Sequence, residues 1–163
     1  MAILKVLEYP NPILSKKATP ADAVSEKELR LIQDMTDTMY QEDGVGLAAP
    51  QIGVLKRIIV VSPNGRRGEE HVYINPEIIK SSLEEEIGLE GCLSLPGASC
   101  EIRRAKKIKF QALDLNGSKN VKELEGFPAR VIQHEMDHLN GVLIIDRVDF
   151  NRRQALLGTY RHL

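Results

Sequence analysis

The segment 126–139 carries the signals of a helix at both of its ends. Pro128 is tolerated in a first helical turn, and the pair Asn140-Gly141 that follows is typical of a helix terminus. His134 and His138 are four positions apart, so on a helix their side chains lie on one face, one above the other. The sequence therefore predicts a helix that directs two imidazoles to the same point.

Two imidazoles on one helical face can bind the same divalent ion. Glu135 lies one step around the helix, close to such an ion but outside its ligands, where it can take a proton from the ion's water. A bound divalent ion lowers the pKa of that water from about 15.7 to about 7. The alternative is that His134, Glu135 and His138 form an ordinary polar surface. We favour a metal site, because the five-residue pattern arises by chance in roughly one chain in a hundred or fewer.

A catalytic site of this kind needs a third protein ligand. One protease subtype has a histidine three positions after the glycine that corresponds to Gly141, but here that position is Ile144, and no glutamate follows the helix. The remaining candidates are Cys92 and Cys100. Either could be a buried apolar residue instead, since that is the common role of a lone cysteine. Cys92 is a modest favourite, because Gly91 lets the backbone come close to a bulky group.

The rest of the chain mixes helix and strand signals without regular alternation, which predicts the α+β class. Ser25 and Glu28 have the spacing of a capping box, and apolar residues at helical spacing predict an amphipathic helix over 26–41. Ile108, Phe110 and Ala112 alternate with polar residues, as in a half-buried strand. The other predicted elements are an extended lead-in over 1–24, a turn at 44–46, strands at 57–61, 71–75, around 90–94 and 121–124, and a terminal helix over 150–162.

Composition places the chain among ordinary soluble proteins. Its 163 residues predict one domain covering 1–163, and the formal net charge of -1 argues against a nucleic-acid binder, including a specific DNA binder, that works by bulk charge. The first ten residues lack a signal-peptide pattern. The longest core-like apolar run is 58–61, far from the roughly 18 residues that span a membrane. We therefore expect a cytoplasmic protein without a membrane anchor. We also expect a monomer, although none of these features bears on the oligomeric state.

Three segments together resemble the peptide deformylase family. They occur in the family's order, at plausible separations, and span most of the chain. A lone H-E-x-x-H pattern is a moderate signal, but three motifs with a glutamine and a cysteine in the matching places are a strong one. The segments are GVGLAAPQIG at 44–53, EGCLS at 90–94 and QHEMDH at 133–138.

The resemblance implies roles for individual residues. In the family the fold is α+β, with small antiparallel or mixed sheets packed around the metal-binding helix, and the metal is usually Fe²⁺, with Zn²⁺ or Ni²⁺ able to substitute. Independently of the resemblance, Glu90 is expected to hold neighbouring backbone rather than to touch substrate, with Arg104 as a partner. The implied assignments are Cys92, His134 and His138 as metal ligands, Glu135 as general base and acid, Gln51 and the backbone N–H of Leu93 as oxyanion donors, Gly46 as a backbone contact to substrate, and Val45, Val131 and the helix face around Arg130 as the methionine slot.

The implied activity is removal of the N-formyl group from the N-terminal formyl-methionine of newly synthesised polypeptides, with release of formate. Formylmethionyl nascent peptides would be the partners, and the basic residues Arg152, Arg153 and Arg161 imply a weak ribosome contact or simply a solvated helix face. Two rival functions remain. One is a zincin-type endopeptidase with the same helix motif, and the other is a catalytically silent metal-binding domain, which the presence of Glu135 and Gln51 disfavours.

Overall fold

The computed structural model describes residues 2–22 and 24–161, with side chains described as far as Gly158. Within these residues, seven strands form two antiparallel sheets, a five-stranded sheet of order β1-β2-β3-β6-β7 and a separate hairpin, β4-β5. The strands are β1 Gly46–Ala48, β2 Ile58–Val61, β3 His71–Ser81, β4 Glu85–Gly91, β5 Ser99–Ala105, β6 Lys107–Leu113 and β7 Lys119–Glu125.

Three α-helices accompany the sheets in the described residues, α1 Glu26–Gln41, α2 Phe127–Leu139 and α3 Phe150–Arg161. The α+β prediction is confirmed, as are the helix over 26–41 and the helix that ends at Leu139. Residue 162 of the predicted terminal helix lies outside the described residues. None of the described helices has the length and apolar character that crossing a bilayer requires. Short 3₁₀ helices lie at Pro12–Ser15, Ala49–Ile52 and Ile144–Asp146.

The large sheet lies between α1 and α2, which explains the apolar run in β2. All four residues of Ile58–Val61 are buried. Because successive strand residues point to opposite faces, one pair packs with Met35 and Met39 of α1. The other pair packs with Ile132 and Met136 of α2. Burial on both faces therefore fixes the position of α2, and with it the position of the histidines.

Several strand predictions were wrong in their limits. The strand expected around 90–94 is β4, which begins at Glu85 and ends at Gly91, so Cys92 follows it in a turn. The alternating apolar residues of β4, Ile87 and Leu89, are exposed at 56% and 68%, so the alternation does not mark a face that packs into the core. Gly46, predicted in a turn, begins β1, and β3 continues past a register shift to Ser81.

The start of α1 offers a test of stability against pH. The Glu28 carboxylate accepts a hydrogen bond from the Ser25 backbone N–H at 3.2 Å and pairs with Lys56 Nζ at 2.8 Å. The hydrogen bond from Lys56, followed by that from Ser25, lowers the pKa of Glu28 from 4.5 to about 2. The ionised folded form is thus favoured, so Glu28 contributes stability above its unfolded pKa that is lost as pH falls through the folded value.

We expect Glu28→Gln to be less stable than the parent at pH 7, with the difference shrinking between pH 4.5 and about 2. Urea unfolding across this range measures the effect. Glu26→Gln is the matched control, because Glu26 lies in the same first turn and is exposed. A difference that stays constant from pH 7 to pH 2 would contradict the linkage.

Candidate metal centre and its cavity

Three ligand atoms from two parts of the chain meet beside α2. The Sγ of Cys92 lies 3.3 Å from Nε2 of His138, and the Nε2 atoms of His138 and His134 are 3.2 Å apart. All three atoms lie within 4.8 Å of one another. Sulfur and nitrogen ligands lie about 2.0–2.3 Å from a zinc-type ion, so ligand atoms about 3.5 Å apart can share one ion. The donor set therefore fits a divalent transition metal.

The other cysteine lies elsewhere. Cys100 is on β5, is completely buried, and packs in an apolar cluster with Leu95, Ile102 and Leu157. This burial raises the pKa of the Cys100 thiol. The structure thus brings Cys92 to the histidines and leaves Cys100 in the core.

Glu90 orients the first of the two histidines. Its Oε1 lies 2.8 Å from Nδ1 of His134, so the Nε2 of that ring faces the other ligand atoms. Arg104 donates to both oxygens of Glu90, at 2.8 and 2.9 Å, and Arg130 donates to Oε2 at 2.7 Å. Burial opposes ionisation, but the hydrogen bonds from Arg104 and His134 hold the pKa of Glu90 well below its usual range. The predicted pairing of Arg104 with Glu90 is confirmed, but among the described residues the Glu90 carboxylate contacts side chains, so the expectation that it holds neighbouring backbone was wrong.

The two histidines differ in their surroundings. Burial lowers the pKa of His138 well below its ordinary value, and its Nδ1 has no partner among the described groups. Burial also acts to lower the pKa of His134, but hydrogen bonds to Cys92 and Glu90 outweigh it and raise that pKa well above its ordinary value. The two histidines, although on one helical face, are therefore held in different electrostatic surroundings.

Glu135 is the buried acid beside these ligands. Its side chain lines the cavity described below, is 4% exposed, and leaves Oε1 without a partner among the described residues. Burial raises its pKa to about 7. A carboxyl group with this pKa can both accept and return a proton near neutral pH.

Gln51 approaches the same centre from the end of β1. Its Oε1 accepts the backbone N–H of Ala48 at 2.9 Å, which fixes the direction of the amide. Its Nε2 therefore points the other way, 3.1 Å from Ser94 Oγ and 3.8 Å from Cys92 Sγ. The backbone N–H of Leu93, in the turn after Cys92, has no protein acceptor among the described residues. Gln51 thus places one N–H donor beside Cys92, and the Leu93 N–H, next to Cys92 in the chain, is a second donor without a protein acceptor in the described part of the chain.

A cavity of about 720 Å³ opens onto this centre. The predicted residues Val45, Gly46 and Val131 all line it. The sequence interpretation missed Leu89 and Phe127, which also line it. Phe127 carried a usable signal, since it precedes Val131 by four positions and therefore shares its helical face. Leu89 carried none, because it reaches the cavity from the separate hairpin.

A helix with two histidines and an intervening buried glutamate, joined by a cysteine from another segment, defines the class of H-E-x-x-H metal hydrolases. Comparison with known proteins narrows this class. The sequence model of polypeptide deformylase matches residues 3–154. The chain therefore belongs to the polypeptide deformylase family, whose members are hydrolases, and the endopeptidase alternative is set aside.

Individual relatives agree with this placement. Peptide deformylase 1 of Clostridium perfringens is 50% identical over 146 residues, which cover 90% of this chain and 98% of the relative. Peptide deformylase of Thermotoga neapolitana is 47% identical over 153 residues, covering 93% and 91% of the two chains. The crystal structure of a peptide deformylase from Legionella pneumophila superposes with a TM-score of 0.95 at 42% identity, covering 99% of this chain and 95% of that one.

Proposed function

We propose that this chain hydrolyses the formyl group from the N-terminal formyl-methionine of newly synthesised polypeptides and releases formate. In this proposal Cys92, His134 and His138 hold one divalent ion, and Glu135 moves the proton. The observation that carries it is the environment of Glu135, a buried carboxyl group with one free oxygen and a pKa near neutrality, in the cavity that Cys92 and His134 also line. Membership of the family supports the choice of substrate.

A bound ion would supply a Lewis acid and a water of lowered pKa. Glu135 accepts the proton of the attacking water and passes it to the methionine nitrogen as the amide bond breaks. The formyl oxygen becomes negatively charged in the transition state. The Gln51 Nε2–H and the Leu93 N–H stabilise this charge, and they need little reorganisation because Ala48 already fixes the Gln51 amide.

The cavity suits a methionine side chain beside the reacting group. Val131 is 4% exposed and Val45 is half-buried, so both offer apolar contact at little entropic cost. Phe127 and Leu89 extend the apolar lining outward. The formyl carbon bears only hydrogen, so close packing around the metal centre would exclude larger acyl groups. Gly46, on β1, would contact the substrate through its backbone.

Removing the Gln51 donor should slow the chemical step. Gln51→Glu keeps an acceptor for Ala48 but replaces the N–H that faces Cys92 with an oxygen. We expect kcat for formate release to fall about a hundredfold, since one oxyanion donor is worth about 10²–10³ in kcat. Thermal melting of the variant controls for folding. An unchanged kcat would remove Gln51 from the mechanism.

The identity of the ion can be tested through the thiolate. We propose Fe²⁺ as the native ion, with Zn²⁺ or Ni²⁺ able to substitute, because a cysteine with two histidines suits all three. Thiolates oxidise readily, and Cys92 is partly accessible. We expect the iron form to lose activity in air faster than the nickel form in parallel time courses. Equal decay rates would count against iron-dependent oxidation.

Other aspects of the assignment stay predictions. Arg152 is exposed, Arg153 pairs with Asp146, and the side chain of Arg161 lies outside the described residues. The weak ribosome contact stays a prediction. The cytoplasmic location and the monomeric state also stay predictions.

The decisive experiment is formate release from a formyl-Met tripeptide, with the protein purified without oxygen or loaded with nickel. The acetyl-Met analogue is the matched substrate control. Rapid release from the formyl peptide alone, with the internal peptide bonds intact, would support the proposal. No release from protein with one metal ion per chain would overturn it and favour the catalytically silent alternative.

A further inference from the structure

A second cavity, of about 870 Å³, shares helix α2 with the first. Gln133, Asp137 and Arg104 line it, together with Arg147 from the segment after the helix. None of these four residues lines the first cavity. The second cavity thus borders a different part of α2 from the candidate metal centre.

A continuous series of ionic contacts joins the two cavities. Arg147 forms a two-bond pair with Asp137, with Nη2 to Oδ1 at 2.6 Å and Nε to Oδ2 at 3.0 Å. Oδ2 of Asp137 also accepts a hydrogen bond from Nη1 of Arg104 at 2.6 Å. Arg104 then donates to Glu90, which lies 2.8 Å from Nδ1 of His134. The series ends on a candidate metal ligand.

The two oxygens of Glu90 are held differently. Oε2 is held twice, by Arg104 Nε and by Arg130. Oε1, the oxygen that faces His134, is held by Arg104 alone besides the histidine itself. The position of Arg104 therefore decides how well Oε1 is fixed against the imidazole. Arg130 restrains the same carboxylate only through the other oxygen.

Arg104 pairs with two carboxylates, and Arg147 determines how strongly one of them, Asp137, depends on Arg104. The guanidinium of Arg104 is buried, at 4% exposure, between Glu90 and Asp137. Arg147 neutralises Asp137 from the second cavity. Without Arg147, Asp137 would depend on Arg104 alone for its counter-charge. The Asp137 carboxylate would then draw the Arg104 guanidinium away from Glu90, because opposite charges attract strongly where water is excluded.

We propose that Arg147 and Asp137 are positioning residues that act through Arg104 and Glu90 to fix the ring of His134 for metal binding. This inference rests on the proposed metal site. Groups that hydrogen-bond to metal-binding histidines typically alter metal affinity by about 10- to 100-fold when they are mutated. Arg147 is three contacts further from the metal site than Glu90, which touches His134 directly. We therefore expect an effect at the lower end of this range.

The first test compares metal affinity among substitutions at Arg147. Arg147→Gln removes the charge, whereas Arg147→Lys keeps the charge and loses the two-bond geometry. In competition with a chromophoric chelator for Zn²⁺, we expect about tenfold weaker binding for Arg147→Gln and partial recovery for Arg147→Lys. Arg153→Gln is the matched control, because Arg153 is another partly exposed arginine paired with an aspartate, Asp146. It should bind Zn²⁺ like the parent.

The second test uses metal-free protein, so it is independent of the proposed activity. The His134 Nδ1–H that donates to Glu90 should give a low-field proton resonance in ¹⁵N-histidine-labelled protein. We expect Arg147→Gln, checked by thermal melting to be folded, to broaden or shift this signal, and Arg153→Gln to leave it unchanged. If Arg147→Gln and Arg153→Gln gave the same His134 Nδ1–H resonance and the same Zn²⁺ affinity, the inference would be overturned. Failure of the parent to bind Zn²⁺ would instead count against the proposed function.

Discussion

Glu135→Gln should lower kcat for formate release by about a thousandfold while the protein keeps its fold and its bound metal. General acid–base groups contribute about 10²–10⁴ to rate, and a glutamine amide cannot accept the proton. Glu135 lines the same cavity as Cys92 and His134 but does not belong to the three-ligand group, so metal content should match the parent. Formate release and metal analysis on the same preparations measure both quantities.

The same substitution should not cost stability. Burial raises the pKa of Glu135 from 4.5 to about 7, so the folded protein binds this proton more tightly than the unfolded chain does. Ionisation therefore destabilises the fold, by a penalty that is absent below pH 4.5 and fully present above pH 7. Glutamine carries no charge and avoids this penalty. We expect the metal-free variant to be more stable than the metal-free parent in urea above pH 7.

Glu101→Gln is the control for both measurements, because Glu101 is an exposed glutamate on β5. It should leave the rate and the stability unchanged. Undiminished formate release by Glu135→Gln would mean that another group moves the proton. Loss of metal together with loss of rate would mean that Glu135 supports the ligands rather than the chemistry.

The helical half of this site was predictable from sequence, because helical spacing is a local rule. Two histidines four positions apart must share a face if the segment is a helix, and the terminal signals at 126–139 fixed where that helix ends. The capping pattern at Ser25 placed α1 for the same reason. Neither prediction needed knowledge of which other segments the helix packs against.

The third candidate ligand was not predictable from spacing alone, because Cys92 lies 46 positions from His138. Only the pairing of β4 with β5 directs the Cys100 side chain into the apolar core. The same pairing leaves Cys92, just after the end of β4, at the cavity. Leu89 and the Asp137–Arg147 pair were missed for a related reason. Their roles depend on where an exposed hairpin and a segment beyond α2 come to lie, and apolar alternation in an exposed strand does not reveal this.

Gly46→Ala should be nearly as damaging as the loss of Glu135, although alanine adds only one methyl group. A Cβ at Gly46 would lie 2.9 Å from Cδ of Glu135 and would overlap its Oε2. The φ of Gly46 is not in the left-handed region, so the backbone can accept alanine. The carboxylate must therefore move. A displacement of about 1 Å can cost about a hundredfold in rate, and we expect kcat to fall about 500-fold because the displaced group is the proton carrier.

Steady-state kinetics separate this effect from a substrate contact. Gly158→Ala is the matched control, since its added Cβ would have no neighbour within 4 Å and Gly158 does not line the cavity. A fall in kcat for Gly46→Ala with KM and metal content near those of the parent would mean that Gly46 is small to make room for Glu135. A raised KM with kcat unchanged would instead mean that its main role is the backbone contact to substrate, and that the Glu135 carboxylate adapts to the added methyl group.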